Sequence, residues 1–116
     1  MATFSQSTGK FITSDGTCYN GYSGNREGLN NSIKESVAFV GPIPQGEYTV
    51  TGSNTSNGPT TLVLTPAKSN IMYGRSGFLI HGDNSKGDNS ASHGCIIVGP
   101  AARKKLSIGD KIKVTE

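Results

Sequence analysis

The sequence predicts a single small, mainly β domain, a sandwich or barrel with one or two short helices. Two observations point there. Only 33% of the residues are apolar, while 16 glycines and 5 prolines punctuate a chain of 116 residues, which favours turns over long helices. Between those punctuations, short β-branched and aromatic runs recur at strand length. They argue against disorder, and the length suffices for one core without staples. No linker interrupts residues 1–116, so one domain is expected.

Taken in order, "ATFSQS", "TGKFIT" and "TCYNGYSG" read as a meander of short strands with glycine-bearing turns. "REGLNNSIKESVAFV" fits a short helix and an irregular loop equally well. The two prolines of "GPIPQGEYTV" mark an extended entry to a strand from Glu47 to Thr51. A turn over "SNTSNGP" leads to the strand "TTLVLTP", and the loop "KSNIMYGRS" to a strand ending in "FLIHG". "CIIVGP" reads as a buried strand. "PAARKKL" supplies one or two helical turns opened by proline at its favoured first position. The last strand alternates Ile112 and Val114 as inward residues.

Charge narrows the function classes. The net charge is +3, but the basic residues are scattered apart from Arg103-Lys104-Lys105. That allows weak attraction to anionic polymers. It lacks the dense basic stripe with interleaved aromatics that a nucleic-acid binder needs. No apolar run reaches the length of a membrane span, so no membrane insertion is expected. "MATFSQSTGK" lacks the basic start and apolar core of a secretory signal, so synthesis in the cytoplasm is expected, with any export by another route.

The stretch "FLIHGDNSKGDNSASHGC" concentrates both histidines and one of the two cysteines, Cys95. Inside it "GDNS" occurs twice, at Gly82–Ser85 and Gly87–Ser90, a polar loop composition. Its spacing does not match a calcium loop. Strand alternation puts His81 on the face of Leu79, opposite Phe78 and Ile80, and Cys95 on the face of Ile97. Three readings compete. Cys95 is a structural thiol beside two surface histidines. Alternatively, His81, His93 and Cys95, with Asp83 as a fourth donor, hold zinc, although the spacing of strong zinc motifs is missing. In the third reading Cys95 is a nucleophile with a histidine base.

"IHG…SHGCI" resembles the signature of the L,D-transpeptidase (YkuD-like) catalytic domain, a histidine followed at a distance by Ser/Thr-His-Gly-Cys. "GPIPQGEYTV" is similar to that family's Pro-x-Gly-x-aromatic strand entry. With "GYSG" and "MYGRSGFLIHGD", the pattern looks most like the short branch of type VI secretion effectors that attack peptidoglycan. The resemblance runs from Tyr22 to Ile97. Two features depart from it: only the ten residues 82–91 separate His81 from Ser92, and Ile97 stands where the cross-linking enzymes place Arg or Asn.

The resemblance implies Cys95 as nucleophile and His81 as base, oriented by the Gly82 carbonyl. It implies that His93 and Gly94 shape an oxyanion site with the Cys95 N–H, and that Ser92 secures the loop. Arg75 and Tyr73 are expected to hold the carboxylate and stem of the substrate, with Asp83 beside them. The implied substrate is the tetrapeptide stem of peptidoglycan, cleaved or exchanged at its terminal D-alanine, with no metal or organic cofactor. An immunity protein and a secretion-system component are the implied partners, and the periplasm of a target bacterium the implied place of action. Cys18 is expected to be a half-buried structural thiol, not a disulfide partner of Cys95.

Overall fold

In the computed structural model, which describes residues 1–56, 58, 60–83 and 92–116, eight strands close into one barrel. They are β1 (Ala2–Ser5), β2 (Lys10–Ile12), β3 (Cys18–Ser23), β4 (Gly46–Asn54), β5 (Thr61–Pro66), β6 (Leu79–His81), β7 (Ile96–Val98) and β8 (Lys111–Thr115). Around the barrel the order is β1-β2-β3-β7-β6-β5-β4-β8. β8 pairs with β1 in parallel to complete the circle. Among the described residues the one α-helix is α1, Pro100–Arg103, with proline at its start.

Period-two patterning builds the interior. Ile112 and Val114 point inward between exposed Lys111, Lys113 and Thr115. Phe4 and Phe11 are paired across β1 and β2. With Tyr48, Val50, Ile80 and Ile96 they are fully enclosed, as expected of a barrel whose lumen is just filled by side chains. Tyr48 also satisfies its hydroxyl, donating to Pro44 O at 2.7 Å, and meets Phe78 edge to face at 6.3 Å. β4 runs longer than the sequence suggested, to Asn54, because a bulge between Val50 and Gly52 keeps it in register with β5.

The ambiguous stretch after β3 becomes two 3₁₀ turns, Arg26–Gly28 and Ser32–Lys34, not an α-helix. Glycines bring its backbone against itself: a Cβ at Gly28 would lie 2.1 Å from Val40 O, and one at Gly41 only 1.7 Å from Lys34 O. Side chains cannot enter there, so the segment folds back as a compact strap.

β6 and β7 are parallel neighbours, with Ile80 opposite Ile96 and His81 opposite Ile97. A parallel pair needs a crossover of about a dozen or more residues, which is the work of the span from Gly82 to Cys95. Most of the "GDNS" repeat expected in that span lies outside the described residues. Among the described residues no helix is long and apolar enough to cross a membrane.

Candidate active site

On the outer face of the sheet, register places Tyr22, Ile97 and His81 side by side across β3, β7 and β6. All three are buried, so the position carrying Ile97 is a packing position between two functional-looking side chains. Cys95 precedes β7, two residues before the partner of His81. Side chains two residues apart on a strand share a face, so Cys95 lies on the His81 side of the sheet. His81 Nδ1 donates to Gly82 O at 2.9 Å, which fixes the tautomer and leaves Nε2 as the acceptor nitrogen.

The turn bearing Cys95 is pinned at every carbonyl. Asn25 Nδ2 donates to Ser92 O at 2.7 Å and Arg75 Nη2 to His93 O at 3.4 Å. The Ser23 hydroxyl donates to Gly94 O at 3.2 Å, and the Ser92 hydroxyl to Cys95 O at 2.6 Å. Ser92 Oγ in turn accepts from Gly24 N at 2.9 Å and Gly94 N at 3.1 Å. Ser92 is thus buried and structural in its contacts. Gly94 has φ +127°, and a Cβ there would sit 2.4 Å from Arg75 Nη2. Only glycine fits both requirements.

Cys95 is half-buried and free. It lines a groove of about 310 Å³ with Phe39, Gly74, Arg75, Phe78 and exposed His93. Burial pushes its thiol above the ordinary range, while the Leu79 backbone N–H and the charge of Arg75 pull the other way. At rest the sulfur therefore carries its proton, and attack requires a base to take it.

The remaining sequence-derived residues fall around this centre. Tyr73 is half exposed at the rim, with φ +55° and its hydroxyl 3.4 Å from Glu35 Oε2. Asp83 accepts from the Tyr22 hydroxyl at 2.7 Å. Arg75 departs from the expectation of a carboxylate fork. It is buried, and its Nη groups donate to four backbone carbonyls, those of Glu35, Gly41, Pro42 and His93. Cys18 also differs: it is a free, exposed thiol at the start of an outer strand. Among the described residues no three His, Cys, Asp or Glu side chains converge as a metal cage would need.

Sequence reasoning missed Ser23, Asn25 and Phe39. The first two lie in "GYSGN", whose signal was the conspicuous Ser-Gly-Asn after a strand. Phe39 gave no signal beyond being an aromatic in a polar strap.

The model of the family described as the Tlde1 domain matches residues 17–115. The chain belongs to the Tlde1-domain family. Among solved structures, it resembles the crystal structure of Mycobacterium tuberculosis L,D-transpeptidase 1, with a TM-score of 0.59 and 17% identity. The match covers 99% of this chain and 58% of that one, so this chain spans little more than half the length of the solved relative. No curated protein sequence matches the chain. The Tlde1-domain chain thus has an L,D-transpeptidase-like fold, and its match begins at Thr17, just ahead of β3.

Proposed function

We propose that this Tlde1-domain protein is a cysteine-dependent, peptidoglycan-modifying enzyme that acts on tetrapeptide stems as an L,D-carboxypeptidase and D-amino-acid exchanger. One observation carries the reading: Cys95 opens into a groove from a fully pinned turn, beside the strand end that carries an oriented His81. Family membership and the transpeptidase-like fold support the peptidoglycan-modifying class.

The chemistry follows from the protonation state. As Cys95 Sγ bonds to the carbonyl carbon of the third stem residue, His81 Nε2 takes the thiol proton. Negative charge collects on the carbonyl oxygen. Gly94 N–H is already engaged by Ser92 Oγ, so the Cys95 N–H is the donor assigned to that oxygen. Collapse breaks the bond to D-alanine, whose amine leaves with the proton from His81. A thioester remains. Water resolves it to a carboxylic acid, and a free D-amino acid resolves it to an exchanged stem.

The short span of ten residues between His81 and Ser92 favours water and free amino acids over a second bulky stem as acceptor. Phe39 and His93 line the groove and exposed Tyr73 adjoins its Gly74, so these three are assigned to the substrate side, while Asp83, held by the Tyr22 hydroxyl, lines a separate depression. As an effector the protein would reach the periplasm of a target bacterium through a secretion-system component. The producing cell would then need an immunity protein that closes the groove.

Mass spectrometry of muropeptides incubated with wild-type protein and with Cys95→Ala tests the reading. Loss of one alanine mass from tetrapeptides, absent in the variant, supports carboxypeptidase chemistry, and a swapped D-amino acid supports exchange. Unchanged muropeptides from folded wild-type protein would overturn the enzyme reading in favour of a silent wall-binding module.

A further inference from the structure

We propose that Arg75 is a positioning residue for Cys95, a buried cation that ties the catalytic turn to the strap and stands behind the thiol, and not a fork for the substrate's carboxylate. The inference rests on the reading of Cys95 as nucleophile.

Donor counting carries it. A guanidinium has four Nη hydrogens and one on Nε. Nη1 donates to Glu35 O at 2.6 Å and Pro42 O at 2.8 Å. Nη2 donates to Gly41 O at 3.1 Å and His93 O at 3.4 Å. These four bonds use every Nη hydrogen, and a bidentate carboxylate needs two parallel N–H groups. No such pair remains.

Those four carbonyls come from two separate segments. Three belong to the strap, Glu35 to Pro42, and one to the turn that presents Cys95. The guanidinium is thus a rivet between the two walls of the groove. Phe78 backs it, with its ring centroid 5.3 Å away. Gly94 admits it, since a side chain there would collide with Nη2. A lysine ammonium has three donors on a point charge, so it cannot reproduce four bonds spread over both walls.

The charge has a second effect. The groups acting on Cys95 are the Leu79 backbone N–H and Arg75, with Glu35 and the Tyr48 phenol acting on Arg75 in turn; His93 lines the same groove, and His81 stands on the neighbouring strand β6. Only Arg75 is permanently charged among those nearest the sulfur. It favours the thiolate that loss of the proton to the base creates, and it opposes the burial that holds the proton on.

The test uses the full chain with Arg75→Met and Arg75→Lys. Two readouts apply: the pH dependence of Cys95 alkylation by iodoacetamide, followed by mass spectrometry, and kcat and KM on a tetrapeptide stem and its C-terminal amide. Arg75→Met is expected to move the alkylation profile to higher pH, since the cation that favours the thiolate is gone. Its kcat should fall about 100-fold, the scale of an ångström-sized misplacement, with KM nearly unchanged on both substrates. Arg75→Lys should restore the alkylation profile but not kcat. A tenfold rise in KM on the acid that vanishes on the amide, with kcat kept, would overturn the proposal. So would an unmoved alkylation profile in folded Arg75→Met. Should that variant not fold, Arg75→Lys decides: lost kcat with a wild-type profile supports the proposal, and wild-type kcat overturns it. Alkylation needs no turnover, so an inactive wild-type protein would sink the enzyme reading and leave the role of Arg75 measurable.

Discussion

Asn25 grips Ser92 from 67 residues away, its side-chain amide donating to the Ser92 carbonyl at 2.7 Å while also donating to Phe39 O at 2.8 Å. Its own backbone N–H donates to Val40 O at 2.9 Å. One asparagine therefore sets the turn bearing Cys95 and the aromatic rim of the groove in a single frame.

Removing that amide should cost both stability and rate. Asn25→Ala leaves two carbonyls without their donor, one of them in a buried bond, at about 1–3 kcal/mol. Urea unfolding should show the loss, and turnover of tetrapeptide stems should fall with it. Asn25→Asp should be no better, because a carboxylate accepts and cannot donate. A fully active Asn25→Asp would refute the framing role.

Gly94 should tolerate no side chain. Gly94→Ala meets φ +127° and a Cβ position 2.4 Å from Arg75 Nη2 and 3.0 Å from Phe78. Arg75 cannot swing aside without breaking four bonds. Backbone strain alone costs about 1–3 kcal/mol, so the variant should unfold at lower urea and lose activity. Wild-type values for both would contradict the fit described for the turn.

The raised thiol pKa of Cys95 makes a prediction about stability against pH. Its cause is burial, which disfavours the thiolate in the folded state. Above the ordinary thiol pKa the unfolded chain sheds the proton while the folded chain keeps it, so unfolding is coupled to proton release. The contribution is complete below that value and is lost as pH rises towards the folded pKa. Wild-type protein should therefore lose stability more steeply than Cys95→Ser between neutral and strongly alkaline pH. Parallel urea midpoints across that range would show that the thiol does not feel its burial.

Phe39 sits exposed, at φ +64°, and lines the groove with Cys95. A left-handed conformation costs a non-glycine residue about 1–2 kcal/mol. Phe39→Gly should relieve that strain, leaving stability unchanged or higher, while KM for tetrapeptide stems rises severalfold. An unchanged KM would remove Phe39 from the substrate side.

Most of the fold was legible because each strand carries its own period-two pattern between glycine or proline turns. β8 shows it most plainly, with Ile112 and Val114 set between lysines. Closure was not legible, since nothing local in "ATFS" or "KIKVT" announces that they pair with each other in parallel. The strap after β3 stayed ambiguous because its shape comes from glycine contacts between distant backbones, not from a hydrophobic period. That His81, Gly82 and Cys95 fall on neighbouring strand ends was readable from their spacing, a short-range feature. Asn25 and Ser23 were not, because their role lies in hydrogen bonds to a turn about seventy residues later. Arg75 was readable as important but not for its reason: only coordinates reveal that carbonyls occupy its donors.

The parallel seam between β1 and β8 has a consequence for attachment. In the barrel order, β7 and β6 stand half a circumference from that seam. Ser5 and Ser7 hydroxyls both donate to Glu116 O, at 2.8 and 3.0 Å, so residues near either end of the chain lie together. The seam is also tied to the strap that walls the groove: the Ser32 hydroxyl donates to Glu116 Oε2 at 3.2 Å, and Gln6 Nε2 donates to Glu35 Oε1 and Ile43 O. Anything joined after Glu116 therefore starts beside the strap, and a bulky fusion there would press on one wall of the groove.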